Sequence, residues 1–352
     1  MASCRRSSPG SRLWRAFTFT FALLGACQPD QGRPARIVER VHAAGKFVSL
    51  VALDASGRAL LGLSGRDELS VWSLPNSEPD LVFSIPSQGP LILADFVASE
   101  RVMTVTATGL FNEWNWATRA IAYSHKLYAG GVAAYSSDGR YLAIGGEVWD
   151  RKEQRDLATL RFGEQTALEF SANGSRLLSA SRHPSELIVR EPSSSRIFRQ
   201  KVDKDIRAVA INPRGDRVAA ALLGGIVRVF RVPGFQIVSE FWSTPDPVAL
   251  QFLDEEHVVT AGESCVEVHE VATSWKTFRG AIKGQITAFA SSGGQAVAGS
   301  SEGRVWIWDL AKAETLASAQ VASSEIWAIA LDSKTRSAAA GDGSGVITMV
   351  GW

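Results

Sequence analysis

The side chains of this sequence most able to do metal or covalent chemistry are five histidines and three cysteines. A metal site needs several such ligands close together, yet the sequence contains neither a C-x-x-C nor an H-E-x-x-H spacing. The histidines fall in separate segments of the chain, at His42, His125, His183, His257 and His269. We therefore expect them to be turn or strand residues, and we predict no metal, no cofactor and no catalytic residue.

Cys27 ends a short apolar segment near the start of the chain. Four arginines precede that segment, which runs from Ala16 to Ala26. A membrane-spanning helix needs about 20 apolar residues, so this segment is too short to span a bilayer. A charged region followed by a short apolar one is typical of a secretory signal peptide, here residues 1–26.

The residues Leu24-Gly25-Ala26-Cys27 resemble the lipobox of bacterial lipoproteins. The resemblance implies cleavage after Ala26, diacylglycerol on the Cys27 thiol and acylation of the new amino group. It also implies an exported protein anchored by lipid at the cell envelope, and Gln28 favours the outer membrane if the host has one. An ordinary cleavage site with an incidental cysteine is the alternative. Residues 27–34 then form the lipidated N-terminus and a short tether.

Charge and cysteine content restrict the function of the mature chain. The first 26 residues carry four arginines and no acid, so their removal changes the net charge from +1 to −3. Nucleic-acid binding needs a concentrated basic patch, and no long Lys/Arg-rich run occurs. Once Cys27 is alkylated, only Cys265 stays free, and its apolar neighbours indicate a small buried side chain.

From about residue 35 onward, one unit recurs eight times: an apolar strand, a polar turn and a second apolar strand. Clear copies are LVALDASGRALL (50–61) and AVAINPRGDRVA (208–219). Aligning the turns places an apolar or aromatic residue four positions before and three positions after each turn. The spacing between units is near 40 residues, which is typical of propellers built from four-stranded blades.

The segment SSEGRVWIWDLAKAETL (300–316) resembles the third strand and Trp-Asp ending of a WD40 repeat. The tryptophan position is occupied in four units by Trp72, Trp114, Trp149 and Trp308, and in the others by Phe230, Arg190, His269 and Val350. The Gly-His dipeptide of the family is missing, so its hydrogen-bonded tetrad should be largely absent. The resemblance implies an all-β fold, a divergent WD40-type propeller over residues 35–352.

The strands favour eight four-stranded blades. A fourth strand lies in the connectors, for example at 120–124 and 236–241, but the eighth unit stops after its third strand. The segment ARIVERV (35–41) alternates as a strand should, so we predict that it pairs with the eighth unit and closes the ring. Seven blades, with the short third unit irregular, is the alternative.

By similarity to WD40 proteins, loops on one propeller face would bind a protein or peptide partner. These loops precede the first strands and join the second strands to the third. The residues predicted on this face are Arg66, Asp67, Arg182, His183, Lys204, Asp205, Asp246, Glu302, Glu325 and Trp327. The resulting hypothesis is a non-catalytic, lipid-anchored scaffold, attached to the membrane through Cys27 and with no nucleic-acid partner.

The alternative hypothesis is an exported propeller enzyme, either a hydrolase or a quinoprotein-like protein, with its site at the channel mouth. It requires acids or histidines that converge near the axis. The 11 tryptophans are compatible with quinoprotein docking, but they fall at the WD40 position and the docking pattern is not seen. A structure distinguishes the two hypotheses by showing where the acids on the inner strands point.

Overall fold

The repeats fold into eight sheets arranged as a ring, seen in a computed structural model of the chain. The structure describes residues 32–43, 47–54, 56–74, 80–85, 89–98, 100–157, 165–194, 196–244 and 246–352. Cys27 and the predicted signal peptide lie outside these residues. All described elements are strands, turns or loops, and within this part of the chain no helix is long and apolar enough to cross a membrane.

Two strands precede the repeats, β1 (Arg33–Pro34) and β2 (Arg36–His42). Blade one contains β3 (Val48–Leu53), β4 (Ala59–Ser64), β5 (Glu68–Ser73) and β6 (Asp80–Ile85). Blade two contains β7 (Leu91–Ala98), β8 (Arg101–Thr106), β9 (Leu110–Asn115) and β10 (Ala120–Lys126). Blade three contains β11 (Ala133–Tyr135), β12 (Tyr141–Ile144), β13 (Glu147–Asp150) and β14 (Arg155–Leu157). Blade four contains β15 (Gln165–Phe170), β16 (Leu177–Ser181), β17 (Glu186–Glu191) and β18 (Arg196–Lys201).

Blade five contains β19 (Ile206–Ile211), β20 (Arg217–Leu222), β21 (Ile226–Arg231) and β22 (Gln236–Trp242). Blade six contains β23 (Pro247–Phe252), β24 (His257–Gly262), β25 (Cys265–Glu270) and β26 (Lys276–Ala281). Blade seven contains β27 (Ile286–Ser292), β28 (Gln295–Ser300), β29 (Arg304–Asp309) and β30 (Glu314–Gln320). Blade eight contains β31 (Ile326–Asp332), β32 (Ser337–Asp342) and β33 (Val346–Gly351).

The missing fourth strand of blade eight is β2, which confirms the predicted closure. It pairs antiparallel with β33, from Arg36 opposite Gly351 to His42 opposite Val346. The two-residue strand β1 was not predicted. It lies within the segment assigned to the tether and pairs parallel with β30, so blade seven gains a fifth strand.

Apart from β1, neighbouring strands within each blade are antiparallel, so the chain reverses at every turn and the turns fall at two ends. One end carries the connectors between blades and the turns between second and third strands; we name it the connector face. The other end carries the remaining turns and the starts of the outer strands; we name it the opposite face. The first strands contact the first strands of adjacent blades and are therefore innermost.

The core lies between the blades. Trp114 of blade two, for example, belongs to the same buried cluster as Leu61 and Val71 of blade one. Every side chain at the WD40 tryptophan position is buried, including Arg190 and His269. Trp114 donates from Nε1 to Thr104 Oγ1 at 3.1 Å, whereas Trp149 Nε1 is buried without a hydrogen-bond partner. Packing between blades, more than a repeated hydrogen-bonded tetrad, therefore holds the ring together.

Candidate partner-binding face

The ten residues predicted on the binding face all lie at the connector face. Three turns between second and third strands carry five of them, and the connectors carry four, with Trp327 at the start of β31. The exposed members are Arg66, Arg182, His183, Asp205, Asp246, Glu302 and Trp327, and the half-buried members are Asp67, Lys204 and Glu325.

Backbone hydrogen bonds fix the loops of this face to each other. The Leu91 N–H donates to the carbonyl of Arg66 at 2.8 Å and links blade two to blade one. The carbonyl of Asp205 accepts from Leu223 N–H at 2.8 Å, and that of Glu325 accepts from Gly343 N–H at 3.0 Å. These bonds hold the loop backbones in place while leaving the side chains available, as a rigid recognition surface requires.

Two predicted acids take part in ion pairs between loops. Asp246 lies 3.2 Å from Arg207 of blade five, and Glu302 lies 3.2 Å from Lys283 in the preceding connector. Pairs this exposed contribute little to stability, about 0–1 kcal/mol. Their side chains are therefore accessible to a partner at small cost.

An aromatic pair marks the junction of blades eight and one. The rings of Trp327 and Phe47 lie 5.4 Å apart and are tilted by 39°, although Trp327 is still 52% exposed. The Phe47 carbonyl accepts from Gly65 N–H at 2.9 Å, in the same turn as Arg66. A large aromatic side chain that is held on one side and exposed on the other is the usual anchor of a protein interface.

A small apolar pocket lies between blades one and two, and it meets the pair through Gly65, which lines the pocket and donates to the Phe47 carbonyl. It has a volume of about 340 Å³, and its walls include Leu50, Leu63 and Leu91, with Arg66 at its edge. The Ser49 hydroxyl on its rim donates to the Gly65 carbonyl at 2.6 Å. The pocket could hold one apolar side chain of a peptide, and Arg66 could pair with an adjacent acid. We name Trp327, Phe47, Arg66 and this pocket the aromatic sector.

The structure thus brings two of the predicted residues, Arg66 and Trp327, into one sector. Arg182 and His183 belong to blade four, and Lys204 and Asp205 to the connector into blade five, so they lie elsewhere around the ring. Phe47 and three exposed apolar residues of the same face, Leu223, Trp242 and Val248, were not predicted from the sequence. Their signal was present, since each lies next to a connector or a predicted turn.

Two acids on innermost strands, Asp95 and Glu169, bond to the next blade, whereas Asp332 of β31 accepts from Lys334 and Thr335 in its own turn. Asp95 of β7 accepts from the Tyr135 hydroxyl of β11 at 2.7 Å, and Glu169 of β15 accepts from the backbone of Ile211 in β19. In blade six, Gln251 accepts from the Ser291 hydroxyl of blade seven at 2.6 Å. Asp95, Glu169 and Gln251 each stand directly before the last aromatic of their first strands, in the stretches DF, EF and QF.

Burial governs the charge state of these side chains. It raises the pKa of Glu169 to about 8, so this carboxyl is largely protonated at neutral pH. Burial also raises the pKa of Asp95, although the bonds from Tyr135 and Phe96 oppose the shift. These side chains connect adjacent inner strands by hydrogen bonds. The inner edge of each first strand has no partner strand, so its backbone N–H and C=O groups need other hydrogen-bond partners.

A buried carboxylate in blade six shows the opposite shift. Glu267 lies 2.5 Å from Lys276 Nζ and 3.6 Å from His269 Nε2, and it also accepts from the Ser243 hydroxyl at 3.2 Å. Burial alone would raise the pKa of Glu267, but His269 and Lys276 outweigh it and lower the pKa to about 2. Glu267 is thus a charged anchor between strands β25 and β26.

The cleft between blades two and three lies at the opposite face and measures about 730 Å³. Its arginines are already paired, since Arg101 and Arg151 both contact the buried Glu113. Arg140 makes a bidentate contact with Asp150, at 2.8 and 3.1 Å. The cleft is therefore closer to neutral than the number of arginines in its walls suggests.

The remaining candidates for chemistry have ordinary surroundings. Among the described residues, no group of three or more His, Cys, Asp or Glu side chains could hold a metal ion. Cys265 is buried, as expected, and burial raises the pKa of its thiol. The segment Gly299–Gly303 has the spacing G-x-S-x-G, but it forms the end of β28 and the turn into β29, without the helix that follows a hydrolase nucleophile.

Solved structures share this architecture at low sequence identity. The C-terminal WD40 domain of Sif2 is 10% identical with a TM-score of 0.77, covering 92% of this chain and 99% of that chain. The computationally designed Ika8 protein is 18% identical with a TM-score of 0.75, covering 91% of this chain and 99% of that one. No protein-family model and no curated protein matches the chain.

The ring of eight blades, its closure and these likenesses define an eight-bladed β-propeller of the WD40 type. At such low identity the likenesses establish the fold and nothing about activity.

Proposed function

We propose that this chain is a lipid-anchored interaction module of the bacterial cell envelope. In this proposal, the connector face binds a protein partner and Cys27 holds the propeller at the membrane. The propeller serves as a scaffold and does not act as an enzyme. Its partner presents an apolar side chain beside an acidic one.

The observation that carries the proposal is the aromatic sector. Trp327 is braced by Phe47 yet half exposed, and Phe47 bonds to Gly65 in the turn that, with Arg66, lines an apolar pocket. Tryptophan and arginine are the residues most enriched among those that dominate interface energetics. Asp95 and Glu169, two innermost acids of the kind that an enzyme at the channel mouth would require, are instead bonded to neighbouring blades.

The anchor is supported by the lipobox-like residues Leu24–Cys27 and by the position of the first described residues. Arg33 pairs with Ala317 of blade seven, and only four residues, 28–31, separate Cys27 from Gly32, where the described part of the chain begins. Such a tether would hold the propeller close to the membrane.

Two separable measurements test the proposal. Chemical crosslinking and capture from source membranes should recover the same partner with wild type and with Trp275→Ala, a matched control at the opposite face. Trp327→Ala and Arg66→Glu should each lose that partner. Equal recovery with all four proteins would contradict the assignment of the face. Separately, wild type should stay on carbonate-washed membranes and Cys27→Ala should be released by the wash, and retention of this variant after the wash would exclude the lipid anchor.

A further inference from the structure

Exposed apolar side chains recur near the starts of the outermost strands, at the opposite face. Ile37 and Val38 belong to β2, Ile121 to β10, Ile197 to β18 and Ile237 to β22. The four isoleucines hold the same pairing position. Each pairs with the third-strand residue at the WD40 tryptophan position of its blade. These partners are, in the same order, Val350, Trp114, Arg190 and Phe230. They therefore lie at the same height in their blades, near the opposite face and on the outer edge of the ring.

Trp275 adds a large side chain to this set. It stands in the turn just before β26, and its backbone carbonyl accepts from Glu270 N–H at 2.9 Å. The turn is thus fixed, while the Trp275 side chain is 76% exposed. A single exposed apolar residue needs no explanation, but a repeated set at one end of a fold does.

Arginines accompany the isoleucines. Arg36 and Arg196 directly precede Ile37 and Ile197, and Arg119 stands two residues before Ile121. All three arginines are exposed. Apolar and aromatic side chains combined with arginine at one surface are typical of proteins that rest on a membrane, since arginine pairs with lipid phosphates while the apolar groups enter the interface.

The start of the described chain lies at this same end. Gly32 contacts Thr315, the second residue of the outer strand β30. The five residue-to-residue steps from Cys27 to Gly32 span at most about 18 Å when fully extended. A lipid on Cys27 would therefore keep this end of blades seven and eight within that distance of the bilayer.

We propose that the opposite face rests on the phospholipid surface. In this arrangement Ile37, Val38, Ile121, Ile197, Ile237 and Trp275 contact the headgroup region, and the connector face points away from the membrane. The inference rests on the lipid anchor of the proposed function. It adds a second, non-covalent contact and a fixed orientation.

Strand β22 offers matched positions for the test, because Ile237 and Trp242 are both exposed and stand at its two ends. The acylated mature protein would carry an NBD label at Ile237→Cys or at Trp242→Cys, in vesicles of phosphatidylethanolamine and phosphatidylglycerol. The buried Cys265 and the alkylated Cys27 should not compete for the label. We expect the emission of the Ile237→Cys label to shift to shorter wavelength and to be quenched by lipid-borne nitroxide. The Trp242→Cys label should keep the emission of a label in water and should not be quenched.

Tryptophan quenching provides a second readout that needs no label. Brominated phospholipid should quench part of the intrinsic fluorescence of the wild type; Trp275→Phe should abolish this quenching, and Trp242→Phe should keep it. A protein that floats with vesicles but shows both labels in water, or the reverse pattern, would overturn the orientation and leave the anchor intact. A protein that does not float would overturn both.

Discussion

Gly341 of blade eight lies against Val48 of blade one so closely that a Cβ on Gly341 would be only 2.7 Å from Val48 Cβ. Gly299 holds the equivalent position in blade seven and faces Ile326 of blade eight in the same way. In both cases the glycine belongs to a second strand, and the β-branched residue opens the first strand of the next blade. Absence of a side chain at this point sets how closely successive blades approach.

We expect Gly341→Ala to reduce the free energy of unfolding by about 1–3 kcal/mol, because the added methyl overlaps a stiff β-branched side chain. Urea denaturation followed by circular dichroism would measure this. Gly131→Ala is the control, since nothing lies within 4 Å of the position of its added Cβ. Equal stability of the two variants would show that the blades can move apart at no cost.

Closure of the ring depends on the buried face of β2. Val41 is buried in the cluster shared by blades eight and one, whereas Val38 on the same strand is 58% exposed. Val41→Asp should destabilise the protein by more than 3 kcal/mol and speed hydrogen exchange in β2 and β33, because it buries an unpaired charge. Val38→Asp should change stability by less than about 0.5 kcal/mol. Slow exchange in β33 of Val41→Asp would mean that the ring closes without β2.

Glu169 should make the protein less stable as pH rises. Its pKa is raised to about 8 in the folded protein, against an ordinary value near 4.5. Between these values the unfolded chain releases the proton and the folded protein keeps it, so stability falls from about pH 4.5 to about pH 8. Glu169→Gln should remove this decline and raise the melting temperature at pH 8 by several degrees. Thermal melts at half-unit pH steps would measure both effects. If Glu169→Gln had the same dependence of melting temperature on pH as the wild type, the raised pKa of Glu169 would be refuted.

Glu267 should have the opposite dependence. With its pKa lowered to about 2, it stabilises the folded protein above about pH 4.5, and this contribution is lost as pH falls towards 2. Glu267→Gln should therefore lower the free energy of unfolding by about 3 kcal/mol at pH 7. Urea titrations at several pH values should also show that its stability falls less than that of the wild type as pH decreases. Glu302→Gln, which alters only the exposed pair with Lys283, should leave the curve unchanged. A Glu267→Gln curve that matches that control would contradict the ionised, paired state of Glu267.

Trp327 should matter for binding more than for stability. Because the side chain is half exposed, Trp327→Ala should lower the free energy of unfolding by about 1 kcal/mol or less, while loss of a central aromatic anchor weakens partner binding by about 2 kcal/mol or more. Calorimetry with the captured partner and urea denaturation would give the two values. A large loss of stability with unchanged affinity would assign Trp327 to the fold instead.

The blades could be predicted because their apolar positions repeat in register, as at Leu60 and Val218 in equivalent second strands. The closing strand could be predicted as well, since residues 35–41 alternate and blade eight lacks a partner. Strand β1 could not, because two residues, one of them proline, carry no periodicity. The aromatic sector depends on blades eight and one meeting, so Phe47 and Trp327 give no joint signal along the chain. The acids and the amide of the inner strands do have a common sequence signal, because Asp95, Glu169 and Gln251 each precede a phenylalanine.

The pairing of Arg36 with Gly351 also sets an order of events during synthesis. The strand that closes the ring is made before the eight repeats, and its partner β33 is made after the first seven of them. Until then β2 has no sheet to join, and blade eight exposes a free edge. The ring is thus completed only once β33 has been made, so a chain truncated before β33 would leave β2 unpaired.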